Sequence, residues 1–430
     1  MRYMIENVTV ATLDEQGTVI KDAFVGIDEG KIVYLSTLQP RIAAREHING
    51  RGMILMPGLV NAHTHLAMSL MRGYGGDCEL HTWLNEKVFP VEARMDSKAV
   101  YLGTMLGIAE SLRFGVTSVS DMYISTLDTA RAAYESGIRA NLSNGATGGG
   151  EGWEPEGDRC YEMLREAFAQ FHAADGLVRI DASIHAPYTS SPNMWEAISG
   201  FAHEHSLGMH IHLSETRKEQ EDCIKTYGMT PSQVMDKYGV FDGRTQAAHC
   251  VWLSEEDMEL LAGKRVTAVH NPVSNLKLAS GVARVSRMMD KGVPLALGTD
   301  GACSNNNLDM FEEIKLAALL QKGVGYDPTA VTAFEALRMA TRGGALAQGR
   351  EDCGMIKVGM AADLILVDAR SPWMYPIHDV HSTLCYTARG SDVEMTMVGG
   401  RILYRAGEYT TIDVEKVRSE IDSCVISKIF

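Results

Sequence analysis

Two histidines, His63 and His65, sit two apart at the end of an apolar run, MPGLVNAHTHLAMSLMRG, residues 56–73. In a β-strand successive side chains point to opposite faces, so positions i and i+2 share a face and two imidazoles can converge on one point. A metal ion is the natural occupant of such a point. An isolated H-x-H is met equally well as a strand cap beside a satisfied core histidine, so the rest of the chain has to decide. A second pair, His210 and His212 in LGMHIHLSE, is followed by Glu215. His185 lies in VRIDASIHAPY, His249 in TQAAHCVWL, His270 in VTAVHNPVSN and Asp300 in VPLALGTDG. Three or four histidines with one carboxylate suit a borderline divalent cation such as zinc, with an open position for a water that the ion would make nucleophilic near neutral pH. Only one histidine of H-I-H is needed as a ligand. Glu215, three residues past His212, is placed for proton shuttling, and Asp300 for both binding metal and accepting a proton from the water.

These residues need elements that aim them at one place. Eight β-rich runs occur between residues 54 and 301: 54–66, 115–122, 139–145, 178–188, 207–215, 245–253, 266–275 and 293–301. Amphipathic segments such as DSKAVYLGTMLGIAESLRFG and SEEDMELLAG lie between them, with apolar residues recurring at three and four. Eight β-runs, each followed by a helix, predict an α/β chain built on a (β/α)8 TIM barrel, whose active site lies at the C-terminal strand ends, where these side chains fall. His203 and His205 provide a control: the segment FAHEHS reads as helix, where i and i+2 do not share a face, and the pair is assigned to solvent. His81, His172, His378 and His381 default to surface or structural roles. Residues 1–55 and 353–430 return to short strands and turns, including a hairpin at Gly399-Gly400. Neither end has enough sheet for a core of its own, so the two are expected to pair into one small β-sandwich, with residues 56–352 forming the barrel.

Composition narrows the classes. The 430 residues are 45% hydrophobic and 22% charged, and the formal charge is −15 with no dense Lys/Arg cluster to track a phosphate backbone. Nucleic acid is an unfavoured partner. No segment has the apolar length of a membrane span or a signal peptide, which predicts a cytoplasmic protein with no membrane partner. Eight scattered cysteines without a C-x-x-C pair suit free thiols in a reducing compartment, and Cys250 and Cys303 read as small buried residues despite lying near His249 and Asp300.

PGLVNAHTH, HIHLSET, AAHCVWL, HNPVSNLKLASG and LGTDGACSNNNLDM, in that order, resemble the amidohydrolase superfamily, and within it the triazine hydrolase and chlorohydrolase type of deaminase, nearest the 5'-methylthioadenosine/S-adenosylhomocysteine deaminases. The likeness runs almost end to end, through GMAADLILVD and MVGGRILYRAGEY. It implies one divalent metal ion per subunit, Zn2+, on His63, His65, His212 and Asp300, with Glu215 as proton shuttle and His249 holding the attacking water. Trp83 and Glu92, in HTWLNEKVFPVEARM, match residues that line the base pocket and bind ribose hydroxyls, His185 matches a substrate contact, and Ser304 matches a small polar residue in the loop after Asp300, so that these four and Glu215 are expected to contact the substrate. The implied reaction is hydrolytic deamination of a 6-aminopurine nucleoside, releasing ammonia, in a homo-oligomer, dimer or tetramer.

One departure bears on substrate. Where relatives that handle S-adenosylhomocysteine place an arginine for the amino-acid carboxylate, this chain has Asn144, with Arg159 further along the same loop. A buried carboxylate binds poorly without a cationic partner, which disfavours S-adenosylhomocysteine relative to 5'-methylthioadenosine, 5'-deoxyadenosine or adenosine. The same ligand set also serves deaminases of guanine, pterins and cytosine and a triazine chlorohydrolase, and fold alone does not choose among them. A dinuclear hydrolase lacks its bridging lysine in the fourth run, and a non-catalytic scaffold would not keep a full set of metal and shuttle positions.

Overall fold

The structure, a computed structural model, describes residues 1–77 and 80–430. Cys78 and the side chain of His81, expected as a free thiol and a surface or structural histidine, lie outside the described residues. The chain opens with β1 (Tyr3–Ala11), β2 (Val19–Asp28), β3 (Lys31–Ser36), β4 (Glu46–Asn49) and β5 (Met53–Pro57). The barrel strands follow: β6 (Leu59–Thr64), β7 (Val116–Met122), β8 (Arg139–Ser143), β9 (Val178–Ile180), β10 (Ala182–Ser183), β11 (Met209–Leu213), β12 (Thr245–His249), β13 (Thr267–His270) and β14 (Leu295–Leu297). The chain then adds β15 (Leu364–Asp368), β16 (Val393–Val398), β17 (Arg401–Arg405) and β18 (Glu408–Tyr409).

All barrel strands run parallel, in two hydrogen-bonded stretches, β6-β7-β8-β9 and β10-β11-β12-β13-β14. The break between β9 and β10 falls at Asp181, where one strand changes partners: Asp181 N donates to Leu142 O at 2.9 Å and Ala182 N to Gly208 O at 2.8 Å. Counted as one, β9 and β10 leave eight strands, matching the eight runs read from the sequence. The circle closes where Asp300 N, just past β14, donates to His63 O of β6 at 3.0 Å. The lower barrel is polar as well as apolar: Gln348 accepts from Ser118 Oγ and donates to Ser120 Oγ, which in turn donates to Gln246.

The terminal strands form one sheet in the order β18-β17-β16-β15-β5-β1-β2-β3, with β4 on β1. Antiparallel pairing of β15 with β5, Leu364 opposite Pro57 and Asp368 opposite Met53, joins the two ends of the chain. Leu55, Leu364 and Leu366 pack with Ile5, Val25 and Met395 into a core that the sheet encloses, whereas Ile54, Met56, Ile365 and Val367 face the barrel. Both faces are buried, which explains why ILMP and LILVD read as unbroken apolar runs. Gly399 and Gly400, at φ 53° and 71°, occupy the left-handed positions that a two-residue hairpin demands between β16 and β17.

Helix Ser97–Arg113 starts on Asp96, whose carboxylate accepts from Ala99 N, and packs across the turn Leu66–Met71 that follows the first histidine pair. A Cβ on Gly103 or Gly107 would fall 2.7 Å from the carbonyl oxygens of Ala67 and Leu66, so only glycine permits this approach. Helix Val414–Cys424 also packs on this helix, burying Val417 and Ile421. Helix Pro192–Glu204 carries His203 to solvent as expected, but His205 is half-buried, its ring 4.3 Å from Phe201 and 4.7 Å from Phe168. That correction follows from position: His205 caps the helix end, where the backbone turns its ring back over two aromatic side chains. No helix among the described residues is long and apolar enough to cross a membrane.

Candidate metal centre and active site

The strand ends gather His63, His65, His212, His249, Glu215 and Asp300 at one mouth of the barrel. His65 and His212 have defined tautomers, because each Nδ1–H donates to a main-chain carbonyl: His65 to Met122 O at 2.5 Å and His212 to His185 O at 2.8 Å. Their Nε2 lone pairs therefore face inward, 3.3 Å from each other. Asp300 Oδ1 lies 3.1 Å from His65 Nε2 and 3.4 Å from His63 Nε2, a buried atom without a hydrogen-bond partner. His63 Nδ1 is backed by His210 Nε2 at 2.9 Å, so the H-I-H pair divides its work: His212 faces the centre and His210 steadies His63. Donor atoms of His63, His212, His249 and Asp300 all lie within 4.8 Å of one another, and His65 joins the group through its contacts to Asp300 and His212.

This packs acceptor against acceptor. Burial pushes His63 down to about 3, so it stays neutral. Burial also opposes protonation of His65, but the Asp300 carboxylate outweighs it and raises His65 to about 9. A proton there relieves one contact and leaves the others unbalanced; a divalent cation relieves all of them at once. The donor set thus fits a metal ion, with nitrogen and oxygen ligands of the kind zinc accepts.

Asp300 is aimed by its surroundings. Ser274 Oγ and Ser304 Oγ donate to Oδ2 at 2.6 and 2.7 Å, which leaves Oδ1 for the centre. Burial works against ionisation, yet the His63 and His65 imidazoles beside it hold the carboxyl well below the usual carboxylate range. Its φ of 61°, and 72° at His249, place both at sharp left-handed turns where their strands end. His249 Nδ1 meets Asn275 Oδ1 at 2.8 Å, and its Nε2 stands 3.9 Å from Glu215 Oε2. Glu215 Oε1 accepts from Ser280 Oγ at 3.2 Å, and burial raises the Glu215 pKa.

Above this floor opens a cavity of about 610 Å3. Trp83, Glu92, His185, Glu215, His249 and Asp300 line it, and Met68, Leu84, Phe89, Met95 and Met163 make much of its wall apolar. Burial pushes Glu92 up to about 7, against a hydrogen bond from Tyr123. Asn144 also lines the cavity: its Nδ2 donates to Cys160 O at 2.6 Å, while its buried Oδ1 has no partner. Arg159 stands exposed at the rim. Ser304 is not on the cavity wall; it sits beneath Asp300. His270 is buried outside the cluster, and burial pushes it down to about 3. Cys250 and Cys303 are buried, and burial pushes the Cys303 thiol up to about 12.

Sequence reasoning assigned no role to Ser274, Asn275, Ser280 or His210, which orient Asp300, His249, Glu215 and His63. The first three lie in HNPVSNLKLASG, but serine and asparagine at such spacings carry no signal until the loop's path is known.

Residues 54–403 match the Amidohydrolase family. The chain is 44% identical to a 5-methylthioadenosine/S-adenosylhomocysteine deaminase of Dictyoglomus thermophilum, over 98% of each chain. It is 43% identical to a 5'-deoxyadenosine deaminase of Methanosarcina mazei, over 97% of this chain and 96% of that one. Among solved structures it superposes on an adenosine deaminase of Xanthomonas campestris with bound zinc at a TM-score of 0.93 and 34% identity, covering 100% of this chain and 98% of the other. With a family match that spans the barrel, and relatives aligned nearly end to end, the chain belongs to the amidohydrolase family.

Proposed function

We propose that the protein is a zinc-dependent hydrolytic deaminase of 6-aminopurine nucleosides, acting on 5'-methylthioadenosine, 5'-deoxyadenosine, adenosine or S-adenosylhomocysteine. The observation that carries this reading is the convergence of inward lone pairs from His65 and His212, with His63 and Asp300, beside Glu215 at the floor of one cavity. Deaminase relatives of near-identical length support the substrate class.

His63, His65, His212 and Asp300 would hold the ion, which when bound supplies a Lewis acid that brings the pKa of water toward neutrality. Glu215, whose pKa burial raises, delivers a proton to ring N1 as water adds to C6. His249, fixed by Asn275, orients the attacking water, and Asp300 Oδ1 receives its proton while Oδ2 stays bound to two serines. The proton held on Asp300 then passes to the amino group, the C6–N bond breaks and ammonia leaves, and the C6 hydroxyl gives its proton back to Glu215 as the carbonyl forms. Trp83 packs on the base, Glu92 takes the ribose hydroxyls, and His185 completes the wall, while the apolar side chains suit an uncharged 5' substituent. All seven described cysteines are free thiols, which supports a cytoplasmic setting.

The test is the fall in adenine-band absorbance when the zinc-loaded protein meets each nucleoside, with Glu215→Gln as control. Turnover of the simple nucleosides by the native protein alone supports the reading. Turnover of guanine, a pterin or a triazine in their place would sink the roles given to Trp83 and Glu92.

A further inference from the structure

We propose that Glu219 is a positioning residue for Glu215: its carboxylate fixes the left-handed turn at Ser214 that aims Glu215 at the metal centre. This rests on the reading of Glu215 as the proton shuttle.

Thr216 and Glu219 open helix Arg217–Tyr227 in the pattern of a capping box, and Thr216 Oγ1 accepts from Glu219 N at 3.1 Å. In a capping box the glutamate reaches back to the N-cap amide. Glu219 overreaches it: Oε1 accepts from Ser214 N at 2.9 Å and Oε2 from Glu215 N at 2.8 Å. Both amides lie where β11 has ended and no neighbouring strand offers a carbonyl. Ser214 is fully buried and Glu215 nearly so, so the amides need partners within the protein.

The turn they stabilise is a strained one. Ser214 has φ 49°, which a side-chain-bearing residue holds only where its surroundings enforce it. Glu219 grips the turn on its amide side. On the carbonyl side, Val251 N and Trp252 N donate to Ser214 O at 3.1 and 2.9 Å, tying it to the loop that follows His249. One turn therefore sets both the direction of Glu215 and its distance from His249. Glu219 is itself buried and does not line the cavity, so it acts through Glu215 and not on substrate. A helix cap alone would not require its carboxylate to pass the N-cap and take the amide of the shuttle residue.

The experiment compares Glu219→Gln with the native zinc-loaded protein for kcat, KM, metal content, melting temperature and affinity for a purine ribonucleoside hydrated across N1 and C6, which mimics the transition state. Glutamine keeps the side-chain length but sets an NH2 group against one of the two amides. We expect kcat to fall about tenfold or more, hydrated-nucleoside affinity to fall in parallel, and KM and metal content to stay within about threefold, since small misplacements of a reacting group cost rate before binding. Should Glu219→Gln not fold, Glu219→Asp, which withdraws the carboxylate by one methylene, is expected to give the same split. An unchanged kcat, or a fall matched by equal loss of metal or folded protein, overturns the proposal. Glu215→Gln separates the two readings: if it is inactive while Glu219→Gln behaves as native, only the positioning role fails; if it stays active, the shuttle reading fails and this inference with it.

Discussion

His65 and His212 present their Nε2 atoms to each other at 3.3 Å, and each has its other nitrogen committed to a main-chain carbonyl. Two lone pairs held this close by the backbone are a cost to the empty fold that a cation turns into a gain. Chelation is therefore expected to lower the melting temperature reversibly, and saturating zinc at about a thousand times its dissociation constant to restore about 4 kcal/mol. Scanning calorimetry with and without added zinc measures this; identical melting curves would argue against a metal centre here. His212→Ala is expected to bind less than stoichiometric metal by elemental analysis.

Glu215→Gln keeps the Ser280 contact and the metal ligands but has no proton to deliver. Its kcat is expected to fall about 10²–10⁴-fold with metal content unchanged. A variant that loses its metal as well would show that Glu215 is part of the ligand set.

Asn144 lines the cavity with a neutral amide whose buried Oδ1 has no partner, whereas a substrate carboxylate would need a cation. Asn144→Arg is expected to raise kcat/KM for S-adenosylhomocysteine relative to 5'-methylthioadenosine by about tenfold, in line with a charge-assisted hydrogen bond. Competition assays with the two substrates mixed read the ratio directly, and a ratio that does not move would locate carboxylate recognition elsewhere, with Arg159 next to be replaced.

Asp181 lies where the fourth barrel strand changes partners. Arg244 donates to both its oxygens, Asn141 Nδ2 donates at 2.8 Å, and Gly208 N adds a further bond at 3.3 Å. Burial opposes its ionisation, but Arg244 and these donors hold its carboxyl below the usual range. Because the folded pKa is depressed, the stabilisation is present above the unfolded value of about 3.9 and is lost as pH falls through the folded value. Asp181→Asn is expected to cost about 3–5 kcal/mol at neutral pH, with the gap to the native protein closing below about pH 4. Denaturant unfolding across that range tests it; a gap that persists in acid would mean that shape, not charge, matters at Asp181.

The parts of this molecule legible in its sequence are those that repeat or pair. Eight runs, six of them with the His or Asp residues named above at their ends, mark the barrel because strand direction and the active face are coupled, so His63, His65, His212 and Asp300 point to one mouth from the sequence alone. Ser304 shows where such reading stops. A serine just after Asp300 reads as a wall of the substrate pocket, but a short helix folds it back under the carboxylate it follows. Asn275, Ser280 and Glu219 were illegible for a related reason: each acts through a loop whose path is set by distant contacts. His205 escaped because a helix end, unlike its middle, no longer obeys the spacing rule.

The pairing of β15 with β5 carries a consequence for how the enzyme comes into being. β5 runs straight into β6, the strand of the first histidine, and of the two strands that flank β5, β1 comes from the start of the chain but β15 from the far end. During synthesis His63 and His65 leave the ribosome long before β15 exists to brace their strand. Closing so long a loop is slow, so the sheet beside the first histidine strand is completed only once the last strands have been made and have docked.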